Sequence, residues 1–587
     1  MTATALLTRA EALAQCTAPG QPHELVEQTI AGRRVKVFRH APRSLRALYE
    51  QTASDAEFIV YQDERYSYAQ AWAEAGRIGH LLVQRYGVRP GDRVAIAMRN
   101  YPEWMLAYTA ITAVGAIAVA VNAHWQADEL HFGLLDCGAS VLLADRERLE
   151  RLARAPANPG LRVLAVRAAA AELPAGLAAQ LDLKDLRQQL DSLGPVPMPA
   201  VDVPPDAPAM ILYTSGSTGH PKGVLTTHRQ TLAAILSWEL DRVAGERMAA
   251  AAGLALPPPN PTPGALLASP LFHVMGLNVH FLSSHRLQRK LVAMYRWDPD
   301  EAARLIERER LDAVSATPAM THDLVRVARE GRHDLSSLRA VGGGGAARAP
   351  EQVRQIDAAF ATAAPNTGWG MTETGGIGVG IAGEDYLKRP ASSGRCSAVL
   401  ELKIVDDAGQ ALPAGERGEL LVRGASVFEG YWNRPDANAQ VFVDGDWFRT
   451  GDVAQLDEEG FLFIVDRIKD LIIRGGENIG CGAVEAALLQ HPEVHEAAVY
   501  AVPDERLGEE VGATVHGTPA LDVDELRAFL GQHLAAFEVP RYLTVSPEPL
   551  PRTPSGKILK RRIREAAIAG LQGPAACMFR PDQNGRV

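Results

Sequence analysis

The sequence predicts an α/β protein. It should have a large N-terminal domain of helix-covered β-sheets, a small β-barrel-like subdomain and a small α+β domain at the C-terminus. Three observations carry this. The chain has 587 residues, and a single hydrophobic core stops growing at about 250–300 residues. Up to about residue 390, apolar β-branched runs alternate with amphipathic helical stretches, the pattern of parallel sheets covered by helices. After Gly394 that alternation stops and short strands separated by turn signals take over.

The elements follow in chain order. "YSYAQAWAEAGRIGHLLVQRYG" has helical spacing, "DRVAIAM" reads as a strand, "PEWMLAYTAITAVG" as a helix and "SVLLAD" as a strand. "AYTAITAVGAIAVAVNA" is the most apolar run, but it is rich in Ala and Gly. We read it as a buried helix running into a strand, not as a membrane span. Residues 150–205 are Ala/Pro-rich and weakly patterned, a peripheral stretch leading to the strand "AMILY". "LALPPPNPTPG" is an exposed loop, because its prolines cannot join a helix or a central strand. "LELKIVDDAGQALPAGERGELLVRG" predicts a small barrel or hairpin set. From "DRIKD" onward, strands and helices alternate in a compact unit of about a hundred residues. The reading divides the chain into 1–466 (with the β-rich part at about 395–466), a junction at 467–470, a second domain at 471–572 and a polar tail, 573–587, expected to be disordered.

Composition narrows the function classes. The net charge of −10 argues against a nucleic-acid partner, which needs a basic face. Five cysteines stand at scattered positions with no CxxC pair, which offers neither a zinc site nor a disulfide framework and suits a reduced, cytoplasmic setting. The N-terminal residues lack the charged start and apolar core of a signal peptide.

The chemistry starts at "YTSGSTGHPKGV", which begins at Tyr213. Glycines let a backbone approach an anion closely, and hydroxyls and one lysine add donors. This is not a Walker A loop, since His220 and Pro221 separate the glycine from Lys222 and no hydroxyl follows the lysine. The runs on either side read as strands, so the loop lacks the helix dipole that a Walker A loop enjoys. Thr214, Ser215, Gly216, Ser217, Thr218, Gly219 and Lys222 are the candidate phosphate-binding residues.

This stretch resembles the phosphate-loop signature of the adenylate-forming superfamily, in particular its acyl-CoA synthetase and fatty acid–CoA ligase branch. The family's other motifs follow in order. "PLFHVMGL" is similar to the motif at the mouth of the acyl pocket, and the resemblance makes His273, Val274, Gly276 and Leu277 pocket residues, joined by Gly375. "VGGGGAARAP" resembles the segment that packs on adenine, with Gly344, Gly345 and Ala346 matching and Ala347 in place of the usual proline. "GWGMTETGG" resembles the next motif. There Trp369 would stack on adenine, Gly370 and Met371 would join it in binding the nucleotide, Thr372 would contact the α-phosphate, and Glu373 with Thr218 would hold Mg²⁺, a cation that prefers oxygen ligands. In "TGD" and "DRIKD", Asp452 and Arg467 would reach the ribose. Lys469 falls at the family's hinge, and Gly475 and Gly476 at the loop that serves the thioester step. "LPRTPSGKILKRRIRE" resembles the C-terminal lysine motif, with Lys557 as the catalytic cation. Lys557, Thr218 and Glu373 form the implied catalytic set.

The resemblance runs from about Ala47 to Ala567 and implies the adenylate-forming fold with a mobile C-terminal domain. It also implies ATP, Mg²⁺ and coenzyme A, and a small-molecule acid as the partner of a monomer or homodimer. Two departures stand out: Gly480–Cys481–Gly482, where an aromatic or Ser and then Pro is usual, and Cys396 in place of a proline. The implied reaction joins a carboxylate to AMP and then passes the acyl group to a thiol. A carrier-protein thiol and a non-catalytic nucleotide-binding protein are the competing readings. The pocket stretches "VMGLNVHFLSS" and "GWGMTETGGIGVG" contain no Lys or Arg, which predicts a hydrophobic monocarboxylate. A fatty acid comes first, with an aryl or alicyclic acid second.

Overall fold

The structure is a computed structural model, and it describes the chain except for residues 1–6, 157, 159, 169–172, 174–176, 178–181, 215–220, 255–257, 259, 347, 469–470, 475–476, 505, 520, 554–555 and 573–587. Two large sheets dominate. The first has eight strands. Its centre is parallel, Pro208–Thr214 beside Ile117–Ala120, then Arg93–Ala97, Val141–Asp145, Arg162–Val166 and Asp182–Asp185. Lys222–Thr227 turns back antiparallel on Pro208–Thr214, so the phosphate-loop stretch joins two adjacent strands, as its flanks predicted.

The second sheet has fourteen strands. The β-rich stretch after Gly394 is part of it and forms no sheet of its own. Gly394–Cys396 pairs on one side with Val379–Ala382 and on the other with Phe461–Arg467. A third sheet of five strands, built around Val494–Asp504 and Gly508–Gly517, makes the C-terminal unit.

The helix Pro102–Ala113 shows how the large layers meet. Its residues are apolar on every side, and all but Glu103 are buried. A helix with no polar face must be enclosed. It shares one core with Val94, Ile96 and Ala118 of the first sheet and with Ile59, Ala265 and Leu291 of the second. Pro102 fits the first turn, where its missing N–H costs nothing. The strand Ile117–Ala120 follows, as the apolar run predicted. No described helix is long and apolar enough to cross a membrane.

Helix starts carry local signals. Ser67 with Gln70 and Thr227 with Gln230 form capping boxes for Tyr68–Gln84 and His228–Ala251, each satisfying otherwise orphaned N–H groups. The second of these helices follows directly on the strand Lys222–Thr227, and it brings Ala234 and Trp238 to the site described next.

Candidate active site

The "TGD" and "DRIKD" motifs meet across one hairpin. Asp452 and Arg467 are direct partners in the register of Trp447–Leu456 and Phe461–Arg467. Arg467 Nε lies 2.9 Å from Asp452 Oδ1. From the end of strand Ala364–Trp369, the Trp369 indole N–H donates to Asp452 Oδ2 at 2.8 Å. Both carboxylate oxygens are therefore engaged. Asp452 is buried, and burial pushes its pKa up while Arg467, the indole N–H and the Lys557 charge pull it down.

The glycine-rich run beside it is packed backbone to backbone. Gly343 has φ +148°, and a Cβ there would lie 1.7 Å from the Ala316 carbonyl oxygen. No other residue fits. Gly345 differs: a Cβ would meet only the Met275 methyl, at 3.7 Å, and Gly345 and Ala346 are exposed. This leaves a flat, open surface on which a planar ring could lie. Ala347 is outside the described residues. The six-membered ring of Trp369 packs against Gly378, where a Cβ would come within 2.6 Å of it. Gly370 is similarly tight, since its Cβ would lie 2.4 Å from the Gly376 carbonyl oxygen.

On the phosphate side, Thr214 and Lys222 face each other at the ends of their strands. Ser215, Gly216, Ser217, Thr218 and Gly219 lie outside the described residues. Lys222 Nζ sits 5.1 Å from the centre of the Tyr431 ring. The Tyr431 hydroxyl donates to Glu373 Oε1 at 2.8 Å. Glu373 stands on the short turn Thr372–Thr374 and is buried. Among the described residues it makes no ion pair, and burial pushes its carboxyl pKa up against the pull of Tyr431. The sequence reading missed Tyr431. Its partner is 58 positions away, and no local spacing marks it.

The C-terminal motif reaches the same cleft. A Cβ on Gly556 would lie 2.8 Å from Thr317 Oγ1, so this loop packs against the start of helix Pro318–Glu330. Lys557 is exposed, and its charge acts on Asp452. The Lys557 N–H donates to Thr553 Oγ1 at 3.0 Å. Lys469, Gly475 and Gly476 lie outside the described residues. The Gly480–Cys481–Gly482 departure has a packing reason. A Cβ on Gly480 would be 3.2 Å from the Val465 carbonyl oxygen, the Gly482 N–H donates to Asp466 Oδ2 at 3.2 Å, and Cys481 is buried in the C-terminal core. Cys396 is half-buried, and burial raises its thiol to about 12.

The acyl-side motif forms a π-helical stretch, Met275–Leu282, a rare conformation that recurs at functional sites. His273 precedes it, half-buried against Phe272, and burial lowers its pKa to about 4. The ring is neutral at pH 7. Val274 lies against Gly376 and Asn278 donates to the Gly375 carbonyl at 2.9 Å. Two predicted pocket residues do not face a pocket. Leu277 has no exposed surface and belongs to the core between the sheets. Gly276 is pressed on the Pro270 carbonyl, 2.2 Å from where its Cβ would be. Successive residues of a helix point in different directions, so one motif cannot line a pocket throughout. Beyond the two cation-free stretches, Arg286 and Arg289 border a cavity with Val279 and His280.

Residues 46–432 match the AMP-binding enzyme family and residues 483–557 match the AMP-binding enzyme C-terminal domain. The chain belongs to the AMP-binding enzyme family. A feruloyl-CoA synthase from an Amycolatopsis species is 35% identical over 85% of this chain and 93% of its own length. The long-chain-fatty-acid–CoA ligase FadD13 of Mycobacterium tuberculosis is 33% identical over 86% and 93%. The o-succinylbenzoate CoA synthetase of Bacillus subtilis has been solved with its acyl-adenylate intermediate and with ATP and a magnesium ion. The first structure aligns with TM-score 0.72 at 28% identity over 89% of this chain and 98% of that one, the second with TM-score 0.71 at 28% identity over 88% and 99%.

Proposed function

We propose that this chain activates a carboxylic acid with an apolar body as its acyl-adenylate and passes the acyl group to coenzyme A. The chain is an AMP-forming acid–thiol ligase, with ATP, Mg²⁺ and coenzyme A as its cosubstrates. The observation that carries the site reading is the convergence of the Trp369 indole and Arg467 on the buried Asp452 carboxylate, whose pKa the Lys557 charge also lowers.

A carboxylate is a poor acyl donor because its leaving group would be oxide. In the first step a carboxylate oxygen of the acid bonds to the α-phosphorus of ATP, and the bond to the β-phosphate oxygen breaks, releasing pyrophosphate. Negative charge spreads over the phosphoryl oxygens, so positioning and cations do most of the work. Gly344, Gly345 and Ala346 offer the base its open surface, with Trp369 at the edge. Asp452 and Arg467 take the ribose hydroxyls, and Thr372 the α-phosphate. Lys557 bridges the acid's carboxylate and the α-phosphate, and a donor of this kind supplies about 3–4 kcal/mol. Thr214, Lys222 and the loop between them hold the departing phosphates.

The donor set fits a hard cation. Glu373 is a buried carboxylate with one neutral partner and a raised pKa, the condition that a nearby cation reverses. Thr218 is the proposed second ligand. A bound Mg²⁺ would neutralise charge on the leaving phosphates. In the second step the thiol sulfur bonds to the acyl carbonyl carbon, the bond to AMP breaks and the thiol proton is lost. Lys469 is the proposed hinge, and Gly475 and Gly476 the loop that then enters the cleft.

A fatty acid remains the first candidate, and an aryl acid the second, supported by the mixed substrates of the relatives. The test is ATP- and CoA-dependent AMP release across a panel of carboxylates. AMP release with acyl-CoA formation is expected, whereas absence of AMP with every acid would end the ligase reading.

A further inference from the structure

A cavity of about 210 Å³ lies behind the acyl-side motif. Its lining includes Val279 and His280 of the π-helical stretch. The Trp238 ring stands 3.5 Å from where a Cβ on Gly376 would be, at the cleft, and Trp238 also lines the cavity. Three parallel strands floor it at Ala313–Ser315, Ala340 and Asn366, and two of them then run on toward Gly344 and Trp369. From Ala340 to Gly344 is four residues, about 13 Å of strand. Trp238 thus borders both the cavity and the Gly376 side of the cleft.

The lining there is cationic. It holds Arg242, Arg286 and Arg289 against one carboxylate, Glu239. Glu239 is already taken. Arg286 approaches it at 2.7 and 3.0 Å and His23 at 3.4 Å, and although burial opposes it these contacts hold its carboxyl at about 2. Arg242 is paired with Glu246. Arg289 has no such partner. Its Nη2 donates to Ser283 Oγ at 3.1 Å, its Nε has no acceptor, and no described carboxylate lies within ion-pair distance. Asp312 acts on it only from further away, and burial works against its charge. A guanidinium does not deprotonate in a protein, so it remains a cation short of an acceptor. His280 on the same wall bonds the Ser315 carbonyl through Nε2 at 2.7 Å, and burial lowers its pKa to about 4, so it adds no charge at pH 7.

We propose that Arg289 reads the far end of the acid, and that this end carries a second carboxylate. This rests on the acid–thiol ligase reading and replaces the methyl-ended fatty acid as its first candidate with a dicarboxylic acid that has an apolar middle. A methyl end placed there would leave the Arg289 Nε without an acceptor, which should disfavour the methyl-ended acid about tenfold or more.

The experiment uses the full-length enzyme with ATP and CoA and straight-chain acids of graded length. Each length is supplied in two forms, methyl-ended and ω-carboxylate. At the best length the wild type is expected to turn over the ω-carboxylate form at least about tenfold more efficiently in kcat/KM. Arg289→Met is expected to lower that ratio by about tenfold or more. The ratio is taken on one preparation, so it does not depend on the fraction folded, and if the variant fails to fold the wild-type ratio decides. Methyl-ended acids that match or beat their ω-carboxylate partners in the wild type overturn the proposal and leave the ligase reading standing. So does an active Arg289→Met enzyme with an unchanged ratio. No AMP release from any acid overturns both.

Discussion

Two buried carboxylates sit in the same cleft, and they are built differently. On the ribose side, Asp452 has both oxygens engaged, by Arg467 and by the Trp369 indole. Glu373, by contrast, accepts from a neutral phenol and makes no ion pair among the described residues. Burial raises the pKa of both, and only Asp452 has a cation in contact to oppose it. A carboxylate that must orient neutral hydroxyls can be assembled in advance. One that must receive a cation has to be left short of positive charge, at a cost to the free protein. That is the difference the two proposed roles require, ribose contact for Asp452 and metal contact for Glu373.

The largest effect is expected from the cation that approaches from the other domain. Lys557→Ala should lower acyl-adenylate formation about 100- to 1,000-fold and largely spare thioester formation from supplied acyl-adenylate. Pyrophosphate exchange and single-turnover CoA assays separate the steps. An equal loss in both would remove Lys557 from the first step.

Glu373→Gln tests the phosphate side directly. It should lower MgATP-dependent adenylation about 100-fold while making the free protein more stable. The sign follows from the raised pKa. The native state holds the Glu373 proton more tightly than the unfolded chain, so this group's contribution to stability is fully present at low pH and is lost as pH rises from the ordinary carboxylate range through the raised value. The Gln variant lacks that decline, and its thermal midpoint near pH 7 should exceed the wild type by roughly 2 °C. A variant less stable than wild type at pH 7, yet matching it at pH 4, would reverse the argument.

Asp452→Asn probes the other carboxylate. It leaves Arg467 without its partner, and kcat/KM for ATP should fall roughly 10- to 100-fold. Its raised pKa has the same sign, but because the Arg467 contact is lost, any gain in the free protein's thermal midpoint should be smaller than for Glu373→Gln. If both variants raise the thermal midpoint equally, the two sites are not different in kind.

The smallest effect belongs to Trp369→Phe, which keeps an aromatic ring and removes only the indole donor to Asp452. One hydrogen bond to a charged group is worth about 1.5 kcal/mol at the low end, so KM for ATP should rise roughly tenfold or less. Isothermal titration with ATP would show it, and a loss as large as that of Asp452→Asn would assign the whole effect to the ring.

The sequence by itself determined the order of elements and the identity of the chemical groups. Capping residues such as Thr227, the all-apolar run at Pro102–Ala113 and the strand–loop–strand frame of the phosphate loop act over a few neighbouring positions, so they are legible in one dimension. Family motifs named Trp369, Glu373, Asp452, Arg467 and Lys557 for the same reason. Only the tertiary structure decided what surrounds them. The contacts of Tyr431 with Glu373 and of Trp369 with Asp452 join residues 58 and 83 positions apart. Leu277 and Gly276 went to the core and the Pro270 carbonyl because the direction of a side chain depends on the turn of its helix. The β-rich stretch joined the large sheet because pairing is settled by neighbouring strands and not by its own pattern. Arg289 stands beyond the pocket motif in the sequence, and its missing partner emerges only when three strands and two helices close around it. Burial and charge pairing are properties of the assembled chain, and they set what each of these groups can do.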